Sequence, residues 1–398
     1  MFRSVLQVRT ARALAVFIAL CVGIVPVAIA ASMPPPGYST KFQPPYRQVT
    51  VGSWNDLSPA WSPDGKTIAY SSDENGLWQI FIMNPNGTSN RAITPSSYDA
   101  TNPSWNPNSS AIAFWSNAGS RSYVRLVFVA NSTVVTLTDG SYVVVQGAPE
   151  WSPDGGELLF FVESNVTQLV SMDLTSRTLR VVTSVNGSDL HAAWASPSEV
   201  MYSNLVNGSY EIDWVDVDSG EGGVVHGGPA NYVSPVTSSS SSQVAYIADL
   251  IPMNPPGDVG SYVCAYRPGD YNLWVSNFDG SNATFQSGPT GDPWALPFPS
   301  PFTPGTIGPT QELAWSSDGR MIAYTASNSF GLCLYLWDVV DSESTINQVG
   351  PVNTNSTQPS WSPDNVNLAF ASVAQGYYHI FILNTTGLVT AMPYSTTE

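Results

Sequence analysis

The chain has 398 residues, with 13 basic and 30 acidic side chains and a formal charge of −17. That balance excludes a nucleic-acid partner, which needs a basic surface to replace counterions, and excludes docking of the folded part on anionic lipid. Hydrophobic residues make up 43%, which rules out a disordered chain, and Gly and Pro together are about 16% beside 13 Trp, a mix that favours an all-β protein of short strands and many turns.

Arg3, Arg9 and Arg12 precede an apolar run from Ala13 to Ala31 that ends in Ala28-Ile29-Ala30. Residues 1–30 therefore read as a secretory signal peptide cut after Ala30 or as an uncleaved N-terminal membrane anchor. Both place the remainder outside the cytoplasm, secreted, periplasmic or at the cell surface. This segment holds three arginines and no acid, so the rest carries 10 basic and 30 acidic groups, or −20. Residues 31–46 are proline-rich and read as an extended linker.

From residue 47 one phrase recurs. Trp61-Ser-Pro-Asp-Gly65 precedes Ile68-Ala-Tyr70, and Trp105-Asn-Pro-Asn precedes Ile112-Ala-Phe114. Trp151-Ser-Pro-Asp-Gly155 precedes Leu158-Leu-Phe160, and Trp194-Ala-Ser-Pro precedes Val200-Met-Tyr202. A degenerate copy at Val236 leads to Val244-Ala-Tyr246. Trp315-Ser-Ser-Asp-Gly319 and Trp361-Ser-Pro-Asp complete the set, with spacings of 44, 46, 43, 42, 79 and 46. A second marker agrees. After each anchor an apolar run ends in a polar turn, at Asn84, Asn131, Asp173, Asp216, Asn277, Asp338 and Asn384.

A period of 40–46 residues with short β runs predicts one propeller of four-stranded blades, seven by this count with six as the fallback. Pro-Asp-Gly supplies a fixed φ, a side chain that caps its own turn, and a residue tolerant of positive φ. The tryptophan fills the wedge between neighbouring blades. Val49-Thr50 is expected to close the ring as the outer strand of the last blade, with Leu388–Met392 as the alternative. Trp-Ser-Pro-Asp-Gly-x-x-Ile-Ala-Tyr resembles the repeats of TolB-like, WD40-like β-propellers, and the resemblance covers residues 47–393. It implies the fold and leaves the activity open.

Unit five carries two insertions, about 250–270 between its second and third strands and about 287–310 before unit six. In a propeller these two connections open on the same face. Tyr262, Tyr266, Arg267 and Tyr271 around the first, with Trp294, Phe298 and Phe302 in the second, are the residue types enriched in binding hot spots. Cys264 and Cys333 fall on that face in adjacent units and are expected to form a disulfide. The histidines His191, His226 and His379 lack metal-ligand spacing and read as structural or exposed. Asp216-Val-Asp218-Ser-Gly220-Glu221 has a calcium-like rhythm but occupies a hairpin slot. Nine Asn-x-Ser/Thr sequons, beginning at Asn86, suit a glycosylated exterior.

Neither a Gly-x-Ser-x-Gly elbow nor a cofactor motif is present, and no metal or cofactor is expected. The favoured reading is a single, monomeric, non-enzymatic module that binds a protein or glycan at the envelope. A carbohydrate-active enzyme, lyase or hydrolase, working from the central channel is one alternative. A TolB-like component of an envelope complex is the other.

Overall fold

The computed structural model describes residues 46–238, 240–252, 264–266, 272–285, 313–328, 331–340, 347–351, 354–386 and 388. The described strands form seven antiparallel blades of a β-propeller. Blade one, for example, consists of Asp56–Trp61, Ile68–Ser72, Gln79–Met83 and Arg91–Ala92 in consecutive order from the channel outward. Among the described residues no helix is long and apolar enough to cross a membrane. The N-terminal signal or anchor segment lies outside the described residues.

The ring is closed by the N-terminal strand. Tyr46–Gln48 pairs antiparallel with Tyr377–Asn384, matching Tyr46 with Leu383 and Gln48 with Phe381. Val49 N donates to Ile380 O at 2.8 Å and Ile380 N donates to Thr50 Oγ1 at 2.9 Å. Behind this seam His379 Nδ1 lies 3.3 Å from Asp56 Oδ2, both side chains almost fully buried. The first and last blades are thus joined by a ladder and a buried polar pair.

The central strands of a blade face a neighbour on both sides, so they are apolar on both sides. Every residue of Ile68–Ser72 and of Gln79–Met83 is buried. Seven apolar clusters fill the seven junctions. The one between blades one and two combines Ile80 and Ile82 with Trp105, Ile112 and Phe114. Each fully buried Ile, Leu or Phe contributes about 1.5–3 kcal/mol relative to exposure. This double burial accounts for the low charge content.

The tryptophans tie each blade to the one before it. Indole Nε1 donates to a backbone carbonyl of the preceding blade from Trp105 to Ala60 O, from Trp151 to Ser104 O, from Trp315 to Val236 O and from Trp361 to Ala314 O, all at 2.9–3.0 Å. Trp194 makes the same bond to Glu150 O at 3.4 Å. Unit five corrects the anchor expected at Val236. Thr237 pairs with Val244 as Trp61 pairs with Ile68, so Thr237 holds the anchor position, and its hydroxyl donates to Trp194 O at 2.6 Å.

The turns after the anchors share one geometry. Ser62 Oγ donates to Asp64 Oδ1 at 2.6 Å, Lys66 N donates to the same oxygen, and Gly65 sits at φ 71°. Unit two keeps the shape without Asp-Gly: Asn108 Oδ1 accepts from Ser110 N and Ser109 takes φ 62°. The turn at Asp216 is also a capped hairpin. Hydrogen bonds from the Ser219 backbone, Ser198 and Ser219 bring its carboxyl down to about 2.

The insertion of unit five extends the hairpin between Gln243–Ala248 and Asn272–Asn277 as a two-stranded ribbon, Leu250–Pro252 with Cys264–Tyr266. Cys333 is buried in the junction of blades five and six, while the side chain of Cys264 lies outside the described residues.

Trp105→Phe removes the indole donor to Ala60 O, whereas the Trp61 indole N–H is buried without a hydrogen-bond partner. Trp105→Phe is therefore expected to cost about 1 kcal/mol more than Trp61→Phe. Urea unfolding of the two variants measures this, and equal costs contradict the tie.

Candidate functional site

The innermost strands surround a channel cavity of ≈ 450 Å³. In four blades the residue three positions before the anchor is a bulge in the left-handed region: Ser58, Asn102, Ser234 and Gln358 take φ of 52°, 56°, 54° and 57°. This conformation costs a non-glycine residue of order 1 kcal/mol, and it breaks the ladder so that polar groups reach the axis. Ser58, Asn102 and Gln358 line the cavity. Ser58 N donates to Gln358 Oε1 at 2.7 Å, and Gln358 Nε2 donates back to Ser58 Oγ at 3.2 Å.

Blades three and four depart from this pattern. In blade three the inner strand is split into Val143–Val144 and Glu150–Trp151, both paired with Glu157–Glu163. In blade four only Ala192–Trp194 remains. These two blades bring ionisable side chains to the cavity. Glu150 occupies the position just before the anchor, where the other blades carry Ala60, Ser104, Ala193, Val236, Ala314 and Ser360. His191 occupies the bulge position of blade four. Both line the channel.

Glu150 is half-buried in this cavity. Loss of hydration raises its carboxyl pKa to about 7, and the charge of His191 pulls part of that shift back. His191 Nδ1 lies 2.6 Å from Asp189 Oδ1. Burial by itself pushes the Asp189 carboxyl up. The charge of His191 and hydrogen bonds from His191, Ser203 and Ser234 N outweigh it, so Asp189 is held below the usual carboxylate range. An ionised carboxylate accepts only, so Nδ1 carries the proton and donates. Asp189 therefore fixes the ring, with Nε2 on the side away from that carboxylate. A carboxyl that keeps part of its protonated form near pH 7 and an oriented imidazole are the ingredients of general acid–base chemistry.

Asp56 stands five residues before its anchor, as Asp189 does, but it faces His379 inside the seam. That pair is 1–2% exposed and does not line the cavity. His226 is packed against Tyr232 and Tyr246, and burial lowers its pKa to about 4. Of the three histidines, His191 alone lines the channel. Aligning residues to the anchor rather than scanning for known motifs reveals both Glu150 and His191.

Among the aromatic and arginine residues expected to bind a partner, Tyr266 lies in the ribbon strand, and its side chain is outside the described residues. Tyr262, Arg267, Tyr271, Trp294, Phe298 and Phe302 also lie outside them. Trp151 and Trp194, expected as structural anchors, also border the cavity.

Fold and site together define a seven-bladed propeller with an acid–base pair in its channel. Residues 43–199 match the TolB β-propeller domain family, so the repeats in that stretch are TolB-like. A solved TolB from Acinetobacter baumannii is similar at 18% identity and TM-score 0.51, covering 78% of this chain and 67% of that one. An oligogalacturonate lyase in complex with manganese matches at 13% identity and TM-score 0.65, over 86% of this chain and 95% of the lyase. The oligogalacturonate lyase from Vibrio parahaemolyticus matches at 12% identity and TM-score 0.65, over 88% and 96%. A puromycin-hydrolysing peptidase of Mycobacterium tuberculosis matches at 14% identity and TM-score 0.63, over 84% of this chain and 51% of the peptidase.

These likenesses correct the expectation of a non-enzymatic module. That expectation rested on the missing nucleophile elbow. The lyases are matched along nearly their whole length, so a propeller by itself is enough fold for an enzyme. At such identities the likeness concerns the fold, and substrates and manganese stay with the proteins that bear those names. Among the described residues no three His, Cys, Asp or Glu side chains gather as a metal site, so no chemistry is routed through a metal here.

Glu150 supplies a direct check on the site. Its folded-state pKa of about 7 lies above the ordinary 4.5, so its ionisation weakens the fold as pH rises through this window. No such cost exists below pH 4.5, and it is complete above pH 7. The stability of Glu150→Ala relative to wild type is expected to rise by up to about 3 kcal/mol between pH 4.5 and 8. Urea midpoints at both pH values measure it, and a pH-independent difference contradicts the buried carboxyl.

Proposed function

We propose that this propeller is a carbohydrate-active enzyme that works from its central channel, with Glu150 as proton donor and His191, oriented by Asp189, as proton acceptor. The observation that carries this reading is that, among the described residues, Glu150 and His191 are the two ionisable side chains that line the one channel cavity. A repeat protein has no packing reason to place Glu where its other blades carry Ala, Ser or Val. Carboxyls whose pKa is raised by burial in a cleft are concentrated at functional sites.

The reaction follows from the two groups. Glu150 gives its proton to the glycosidic oxygen as the bond from that oxygen to the anomeric carbon breaks. His191 Nε2 takes a proton from the water whose oxygen bonds to that carbon. Asp189 holds Nδ1–H and stabilises the imidazolium. Solvent returns the proton from His191 to Glu150 between turnovers. Each positioned group contributes roughly 10²–10⁴-fold.

His191 ends the connection that enters blade four, so it sits toward the face on which the unit-five ribbon opens. That face is the approach for substrate in this reading. An extracytoplasmic setting is part of the proposal and is supported by the arginine-led apolar segment at residues 1–30.

Glu150→Gln and His191→Ala are each expected to lower kcat/KM on a cleaved glycoside by about 10²–10⁴-fold, with thermal unfolding retained as a folding control. In the wild-type protein the rate is expected to fall above about pH 7 as Glu150 ionises. Unchanged turnover in both variants refutes the assignment.

A further inference from the structure

We infer that the channel takes an uncharged, hydroxyl-rich sugar chain and rejects polyuronates, an inference that rests on the channel being the substrate site. It stands on the distribution of cations. After residue 30 the chain has only ten Lys and Arg side chains. Eight are among the described residues, and none of them lines the cavity. Arg47 and Arg91 lie on outermost strands, Lys66 and Arg320 belong to the turns after the anchors, and Arg180 pairs with Glu157 and Asp218. Arg121 and Arg125 lie on the third strand of blade two, and Arg177 lies in the turn of blade three. Of the remaining two, Lys41 precedes the first strand and Arg267 falls in the unit-five insertion. The second insertion, 287–310, contains neither Lys nor Arg.

The cavity itself offers the opposite of an anion site. Its ionisable groups are Glu150, a carboxyl near its midpoint at neutral pH, and His191 already engaged by the Asp189 carboxylate. A uronate carboxylate entering here loses water, meets no Lys or Arg among the described residues and finds the His191 ring already paired with Asp189. Sugar hydroxyls suit the lining better. Asn102, Gln146 and Gln358 each offer a carbonyl oxygen and an amide N–H₂, which match groups that both donate and accept. The half-exposed edge of Trp151 presents an apolar surface for the C–H face of a pyranose ring. The substrate named by the similar lyases is a polyanion, a class that the lining of this channel does not suit.

The test is a binding comparison on the full chain carrying Glu150→Gln, which blocks turnover and removes one acid. Cellotetraose, xylotetraose, galactotetraose and tetragalacturonate are titrated at equal ionic strength, with tryptophan fluorescence and calorimetry as readouts. At least one neutral tetrasaccharide is expected to bind tenfold or more tighter than tetragalacturonate. Adding Gln146→Lys is expected to strengthen tetragalacturonate binding about tenfold and to leave the neutral sugar unimproved. Tetragalacturonate binding as tightly as every neutral sugar overturns the inference, and so does failure of all three neutral sugars to bind. Wild-type cleavage of tetragalacturonate that depends on Glu150 overturns it while leaving the acid–base assignment standing. Selective neutral binding with turnover indifferent to Glu150 does the reverse.

Discussion

The structure depends on the hydrogen bond from each anchor indole to a carbonyl of the preceding blade. Near the axis the blades are close together, and an indole is a flat, rigid spacer with one donor at its far edge. Five such bonds run from blade to blade, and in unit five the Thr237 hydroxyl substitutes for the missing indole by donating to Trp194 O. They set the depth of every inner strand relative to its neighbour. A given offset from the anchor therefore reaches an equivalent place in each blade. At the seam the Trp61 indole lacks its bond, and the N-terminal strand with the Asp56–His379 pair supplies the closure instead.

That equivalence turns the repeat into an internal control. Small residues just before the anchor and polar bulges three before it are what ring closure requires. Glu150 and His191 violate the pattern in adjacent blades, and both violations face one cavity. The contrast between the two Asp–His pairs makes the same point. Asp56 with His379 is sealed inside a junction and serves closure. His191, held by Asp189, lines the channel instead.

Charge then separates fold from substrate. The propeller fold is shared with lyases and peptidases, but among the described residues neither Lys nor Arg lines its channel, and Glu150 is the one lining carboxyl. Low overall charge is a consequence of blades whose central strands are buried on both sides. The few charges that remain in the interior therefore stand out, some as closure pairs such as Asp56 with His379 and others as channel groups such as Glu150.

The repeat phrase was legible because turn formation and wedge filling are local. Pro-Asp-Gly fixes its own backbone, and a tryptophan every 42 to 46 residues identifies a blade without knowledge of its neighbours. The blade count, the place of the unit-five ribbon and the N-terminal closure followed from that spacing. The degenerate copy was placed one residue early because Val236 and Thr237 differ only in what lies across the junction. The site was hidden for the same reason. Glu150 and His191 are 41 positions apart in sequence, and nothing local distinguishes a carboxyl in water from one in a channel. The amino-acid sequence by itself determined seven repeating units and a deficit of cations. Tertiary structure alone decided which acid and which histidine share a cavity, because desolvation and the orienting Asp189 exist only once the ring has closed.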